Sequence, residues 1–193
     1  YRIAELQGDN LAFIDINMGC PVPKIADKGD GAGLMRDIAL ASRIVSEVRA
    51  ALKDFDKQVS VKFRRGWDEG EENAVEFGLA MESAGASLLS VHGRYRMQYY
   101  SGTSNIETVA KVREAVSVPV VASGDMLSPE AIRNALDGGY CDGVMVARGA
   151  IGNPWIFHQV RGGEAPTFEE RLDLLLLHAR GIEEFLGEKS LKR

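Results

Sequence analysis

Five short apolar segments alternate with amphipathic ones between residues 11 and 149, and this alternation restricts the fold more than any other property of the chain. The apolar segments are "LAFIDIN" (11–17), "QVSVKF" (58–63), "SLLSVHG" (87–93), "VPVVASG" (118–124) and "DGVMVARG" (142–149). Each has the length and branched-residue content of a strand and ends in a polar turn. Between them, "IALASRIVSEVRAAL" places Ala41, Ile44, Val45, Val48 and Leu52 at helical spacing, and "EENAVEFGLAMESAG" is a helix stopped by Gly85. A further helix starts at "SNIE", where Ser104 and Glu107 have capping-box spacing. In "SPEAIRNALDGG", Ser128 is the N-cap, Pro129 the first helical residue and Gly138 lies past the end. The strand ends fall near Asn17, Phe63, His92, Ser123 and Ala147, the last four 24 to 31 residues apart.

Strands apolar on both faces, separated by amphipathic helices, predict right-handed βαβ units around a buried parallel sheet. A doubly wound α/β sheet and a (β/α)8 TIM barrel both satisfy this pattern. Polar residues gather after every strand instead of at one switch point, which favours the barrel. A complete barrel takes roughly 250 residues, so the five units are expected to be part of one, about strands 4–8, with "YRIAELQGDN" as the tail of the preceding helix. The tail "TFEERLDLLLLHARGIEEFLGEKSLKR" differs: Thr167 and Glu170 cap a helix whose Leu172, Leu175, Leu176, Ala179 and Leu186 form an apolar stripe. The expected organisation is therefore a barrel domain over residues 1–163 and the start of an all-α domain over residues 164–193.

Composition excludes several classes. No run of about 18 apolar residues is present, so no transmembrane helix is expected. Two cysteines, Cys20 and Cys141, do not make a disulfide scaffold and fit a reducing, cytoplasmic setting. No Cys/His cluster has metal spacing, so no metal is expected. A formal charge of -5 argues against a protein that coats nucleic acid indiscriminately, though not against a local basic face.

That local face is where a barrel carries its chemistry, at the carboxyl ends of the strands. The residues there are Asn17, Gly19 and Cys20; Lys62, Arg64 and Arg65; His92, Arg94 and Arg96; Ser123, Gly124 and Asp125; Ala147, Arg148 and Gly149. Cations concentrate at this rim of an acidic chain, which points to an anionic ligand. "SGD" and "ARG" follow the last two strands, where barrels commonly hold a phosphate on backbone N–H groups; Arg148 adds a charged fork. The same glycines also serve simply to turn strand into helix. Lys62 points into the barrel mouth and there needs an anionic or electron-rich partner; the alternative is a side chain reaching to solvent. His92 either donates to a cofactor or satisfies a carbonyl. His158 and His178 lie on helices as surface or packing residues, and Cys141 reads as a small buried hydrophobe. Cys20 sits on a Gly- and Pro-bounded loop expected to be mobile, suited to nucleophilic attack or to proton donation.

Taken together, "DINMGCPVPKI", "VKFRRGWD", "VHGRYRMQYYSG", "VASGDM" and "GVMVARGAIGNPWIF" resemble the tRNA-dihydrouridine synthases over roughly residues 11 to 160. The resemblance implies an FMN-dependent barrel that reduces the C5–C6 bond of selected tRNA uridines, with NADPH or NADH reducing the flavin. It implies that Cys20 is the proton donor to C5; a thiol with an ordinary pKa of about 8.5 is mostly protonated at neutral pH, as a donor must be. Lys62 and His92 would contact the isoalloxazine, and Ser123, Gly124, Asp125, Ala147 and Arg148 the FMN phosphate. Asn17 would help position cofactor and uracil, with Arg64, Arg94 and Arg96 at the RNA entrance. Ser123 replaces a frequent Asn of the family's Asn-Gly-Asp, and Ala147 a frequent Gly before the arginine.

Three other readings compete. They are an FMN barrel acting on a small pyrimidine, resembling dihydroorotate dehydrogenases, a non-catalytic RNA-binding relative, and a flavin-free phosphate-sugar barrel. Five strands of eight leave open edges, so the 193-residue segment alone is expected to aggregate and to bind FMN poorly. A stable, yellow, monomeric preparation of residues 1–193 would overturn that expectation.

Overall fold

A computed structural model describes residues 2–187. Five strands, β1 (Phe13–Met18), β2 (Gln58–Gly66), β3 (Leu88–Tyr95), β4 (Val120–Ser123) and β5 (Gly143–Met145), form one sheet in the order of the chain, all neighbours parallel. A doubly wound sheet would reverse direction partway. The sequential order is that of consecutive units of a (β/α)8 barrel, and the fold is α/β with a partial barrel. β5 ends earlier than the sequence suggests, because the chain tightens into a 3-10 turn at Arg148–Ala150.

Register decides which side chains meet. Asn17 lies opposite Lys62, Arg64 opposite His92, His92 opposite Ser123, and Ser123 opposite Met145. Alternation along each strand puts Val59, Val61, Phe63, Leu89, Val91, Val120 and Ala122 on the other face, all fully buried. That face packs on the helices: Phe63 and Phe77 have ring centroids 5.1 Å apart. The expectation of two apolar faces therefore holds for one face only. The inner face carries Ser60, Lys62, Arg64, Ser90, His92 and Ser123, as befits a surface that surrounds a polar site.

Helix α1 (Arg2–Gln7) precedes β1, and a short helix, α2 (Pro23–Ala26), follows it. α3 (Ile38–Ala51) begins at Asp37, whose carboxylate accepts the Leu40 N–H at 2.9 Å. α4 (Ala74–Ser83) buries Phe77 and Met81 and ends where Gly85 takes φ 105°, a conformation strained for any residue with a side chain. α5 (Ile106–Ala115) is capped by Asn105, which accepts from the Thr108 N–H, and not by Ser104 as the capping-box spacing suggested. Ser104 is occupied elsewhere: its N–H donates to Asp125 and its hydroxyl to the Ser123 carbonyl. α6 (Pro129–Asp137) has the expected Ser128 cap and Pro129 start.

Packing separates two compact units, Tyr1–Gly152 and Asn153–Arg193. In the second, α7 (Ile156–Val160) precedes α8 (Phe168–Leu186), which opens with the expected reciprocal Thr167–Glu170 capping box. The segment 153–163 thus clusters with α8, eleven residues before the organisation read from sequence would divide the chain. The predicted apolar stripe of α8 is unburied, with Leu172, Leu175, Leu176 and Leu186 exposed.

Gly93 separates His92 from Arg94 and lets the α5 cap approach β3, with the Asn105 N–H donating to the Gly93 carbonyl at 2.8 Å. An alanine methyl there would lie 2.2 Å from the Asn105 carbonyl oxygen. Gly93→Ala is expected to cost about 1–3 kcal/mol, read as a lower urea midpoint at unchanged slope; an unaltered midpoint would refute this account.

Candidate active site

The carboxyl ends of all five strands open on one cleft of about 440 Å³, within the range usual for cofactor pockets. It brings together Asn17, Cys20, Lys62, Arg64, His92, Ser123, Gly124, Asp125, Ala147 and Arg148. Arg94 and Arg96 do not line it; they are 2% and 5% exposed and bind protein groups, which sets them apart from the RNA-facing position expected of them.

The loop that carries Cys20 is held at several points. Asn17 Oδ1 accepts the Gly19 N–H at 3.0 Å, turning the chain as it leaves β1. Arg64 Nε donates to the Gly19 carbonyl at 2.9 Å, and the Ala32 N–H donates to the Cys20 carbonyl at 3.1 Å. Gly31, at φ 54°, makes room for the cysteine: a methyl there would be 2.8 Å from Cys20 Cβ. The thiol is free and half-buried. The mobility expected from the loop's glycines and prolines is thus opposed by specific bonds. Cys141 is buried, and its Sγ contacts the Ala135 carbonyl, as a packing residue should.

Next to this loop, like charges crowd one another. Burial and the neighbouring Arg64 charge lower the pKa of Lys62, partly offset by Asp15. Burial likewise brings Arg64 down to about 10, so it remains a cation at neutral pH. His92, 7% exposed, is pushed to about 3 by burial and by Arg64, Lys62 and Arg94. Arg94 Nη1 lies 3.4 Å from His92 Nε2. A guanidinium can only donate, so Nε2 accepts and the proton sits on Nδ1. His92 is therefore a neutral donor at the cleft.

Asp125 organises the opposite wall. Its Oδ2 accepts from Arg94 Nη2 and from the Ser104 N–H, each at 2.8 Å, and its Oδ1 from Arg148 Nη2 at 3.2 Å. Burial opposes its charge, but these hydrogen bonds and the two guanidinium charges outweigh it and hold the carboxyl below its usual range. Gly124 and Asp125 both have positive φ, 104° and 56°, which curls the backbone tightly where it leaves β4. The Asp125 carboxylate is thereby a brace, and Arg148 lines the cleft with 51% of its side chain exposed.

Sequence reasoning missed Tyr100, which lines the mouth with the Arg64 and Arg148 guanidiniums 6.0 and 5.6 Å from its ring centroid. The run "QYYSG" after β3 was its only signal. It also missed Met126, Leu127 and Met145, the apolar wall beside the polar one. Among the described residues no group of His, Cys, Asp and Glu could hold a metal ion, and no helix is long and apolar enough to cross a membrane.

The strand ends of this segment of parallel barrel thus gather cations, a neutral imidazole and a free thiol at one rim. The chain belongs to the dihydrouridine synthase family, whose model matches residues 1–193. It is 43% identical over 185 residues to a protein of Synechocystis sp. named probable tRNA-dihydrouridine synthase 1, covering 92% of this chain and 51% of that protein. It is 41% identical over 183 residues to tRNA-dihydrouridine synthase B of Pseudomonas putida, covering 91% and 53%. The chain thus spans about half the length of the curated relatives it matches. Among solved structures, an enolase from Bradyrhizobium complexed with magnesium and mandelic acid aligns with TM-score 0.55 and 19% identity over 83% of this chain and 38% of that one, a likeness of fold alone.

Because the folded-state pKa of His92 lies below its unfolded value, the unfolded chain protonates first as pH falls. This group leaves stability unchanged above about 6.5 and lowers it progressively toward about 3. In NMR titration its ring signals are expected to stay flat between about pH 5 and 8; a midpoint near 6.5 would contradict the neutral-donor assignment.

Proposed function

We propose that the complete protein reduces selected uridines of tRNA to 5,6-dihydrouridine, using FMN as cofactor and NADPH or NADH as the reductant. The observation that carries this reading is the convergence of the Cys20 thiol, Lys62, neutral His92 and Arg148 on one cleft. The donor set fits FMN. Lys62 and the Nδ1–H of His92 are donors suited to the electron-rich edge of an isoalloxazine, while Arg148 and the turn through Ser123, Gly124 and Asp125, followed across the cleft by Ala147, suit a phosphate. Asp125 acts here through Arg148, not by touching the phosphate.

When bound, reduced FMN supplies the hydride that C6 of the uracil accepts. Cys20 donates its thiol proton to C5, and the thiolate left behind regains a proton from water. Asn17 fixes the turn that presents the thiol and faces Lys62 across β1 and β2, which suits it to orient the base. Arg64 keeps its positive charge beside the thiol and favours negative charge developing on the uracil. The base has to leave its stack to reach such a cleft, and the apolar Met126, Leu127 and Met145 offer a surface for it to lie against. On this reading residues 1–163 are the FMN-binding barrel part and residues 164–193 begin a helical tRNA-binding domain; the location is cytoplasmic, where the substrate is.

In the complete protein, Cys20→Ala is expected to lower uridine reduction by about 10²- to 10⁴-fold with FMN absorbance retained. Arg148→Ala is expected to weaken FMN by about tenfold, the loss of one charge-assisted bond, as followed by flavin fluorescence. Mass mapping of dihydrouridine in tRNA from cells with and without the gene tests the reaction itself. Unchanged dihydrouridine in both would refute the reading, and activity on free pyrimidines without RNA would replace it with a small-molecule reductase.

A further inference from the structure

A second set of contacts bears on Cys20 from outside the cleft. From Cys20 the chain runs through Pro21 and Val22 into α2, whose backbone bonds continue to the Asp27 N–H donating to Pro23 O at 3.0 Å. Asp27 thus lies at the end of the helical turn that follows the Cys20 loop, and its Oδ1 accepts from Arg96 Nη2 at 2.6 Å. Arg96 itself is buried, with Nη1 donating to Met97 Sδ at 2.9 Å and Nε without a partner. Its guanidinium carbon lies 4.6 Å from the Trp67 ring centroid and 5.5 Å from that of Tyr99. A buried guanidinium with an unbonded Nε depends on its one carboxylate partner, so the pair is held from the buried side although Asp27 is half exposed. The far end of the same loop returns to the same ring, with Arg36 4.9 Å from the Trp67 centroid.

We propose that Arg96 and Asp27 form a positioning pair that latches the Cys20 loop onto the Trp67–Tyr99 platform, setting the thiol for proton delivery. This rests on the reading of Cys20 as proton donor. Neither residue lines the cleft, so the pair acts on the site through the Cys20 loop and the Tyr99 turn, without touching the groups assigned to the flavin. Arg96→Lys would keep a charge but lose the planar stacking between the rings; Asp27→Ala removes the acceptor from a half-exposed position and leaves the platform in place.

The test has two arms in the complete protein. In the first, iodoacetamide labelling of Cys20 is followed by peptide mass spectrometry, with Cys141 as internal reference. Loss of one charge-assisted hydrogen bond at a partly exposed carboxylate is worth about tenfold in a local opening equilibrium, so Asp27→Ala is expected to speed Cys20 labelling about tenfold and leave Cys141 protected. Asp27→Glu, which keeps the charge, is expected to recover most of the protection. In the second arm, flavin reoxidation by tRNA slows by a similar factor in Asp27→Ala while FMN affinity and flavin reduction stay at wild-type values. Unchanged Cys20 labelling overturns the latch. Equal gains at Cys20 and Cys141 also overturn it, since they mean general loosening. If tRNA fails to reoxidise wild-type flavin, the functional reading falls, and the labelling arm still decides the latch.

Discussion

A guanidinium only 2% exposed, that of Arg64, joins three segments by donating to the carbonyls of Gly19, Tyr95 and Tyr99 at 2.9, 3.0 and 3.0 Å. Gly19 precedes the thiol, Tyr95 ends β3, and Tyr99 lies in the turn that closes the mouth. A lysine could reach one of these carbonyls but lacks the fixed fork that reaches several. Arg64 also sits on the inner face one position beyond Lys62 and opposite His92, so the residue that ties the rim also sets its potential. Without it the Cys20 loop would lose this bond to β2, and the carbonyls of Gly19, Tyr95 and Tyr99 would need other donors.

The same arrangement is electrostatically costly. Lys62, Arg64, His92 and Arg94 occupy neighbouring positions of two adjacent strands; Arg64 disfavours the charge of Lys62, Arg94 that of Arg64, and all three cations that of His92. The protein relieves this in two ways. It keeps the imidazole neutral, which turns it from a fourth cation into a donor, and it sets Asp125 against Arg94 and Arg148. A surplus of positive charge remains at the cleft of a chain whose formal charge is -5. An anionic ligand would offset that surplus, so its affinity would gain from the relief of internal repulsion.

What sequence made legible follows from geometry with a fixed period. Cys20, Lys62, His92, Ser123 and Arg148 were placed at one site because strand ends of consecutive βα units must share a rim. The caps at Ser128 and Thr167 were legible because they depend on residues three positions apart. Contacts that span loops were not. Ser104 and Asn105 both have cap chemistry, and only the position of Asp125, 21 residues away from Ser104, decides which of them caps α5. Arg94 and Arg96 read as free cations because a sequence displays a charge without its partner; their partners Asp125 and Asp27 lie on other loops.

This difference between lining and supporting cations has a consequence for how the rim works. Arg148 is held by a carboxylate yet open to solvent, so an incoming anion can share it without dismantling a buried pair. Arg94 and Arg96 are enclosed, and drawing either toward a ligand would break a buried guanidinium's ion pair with Asp125 or Asp27. Arg148, Lys62 and the turn at Gly124 are thus the polar groups open to the cleft, while the enclosed arginines tie the Asp125 turn and the segment after the Cys20 loop to β3 and the turn beyond it. On the proposed reading, a site that admits a base and then delivers a proton needs its donor firmly placed and its ligand-facing cation free to adjust, and the rim divides these two demands between different arginines.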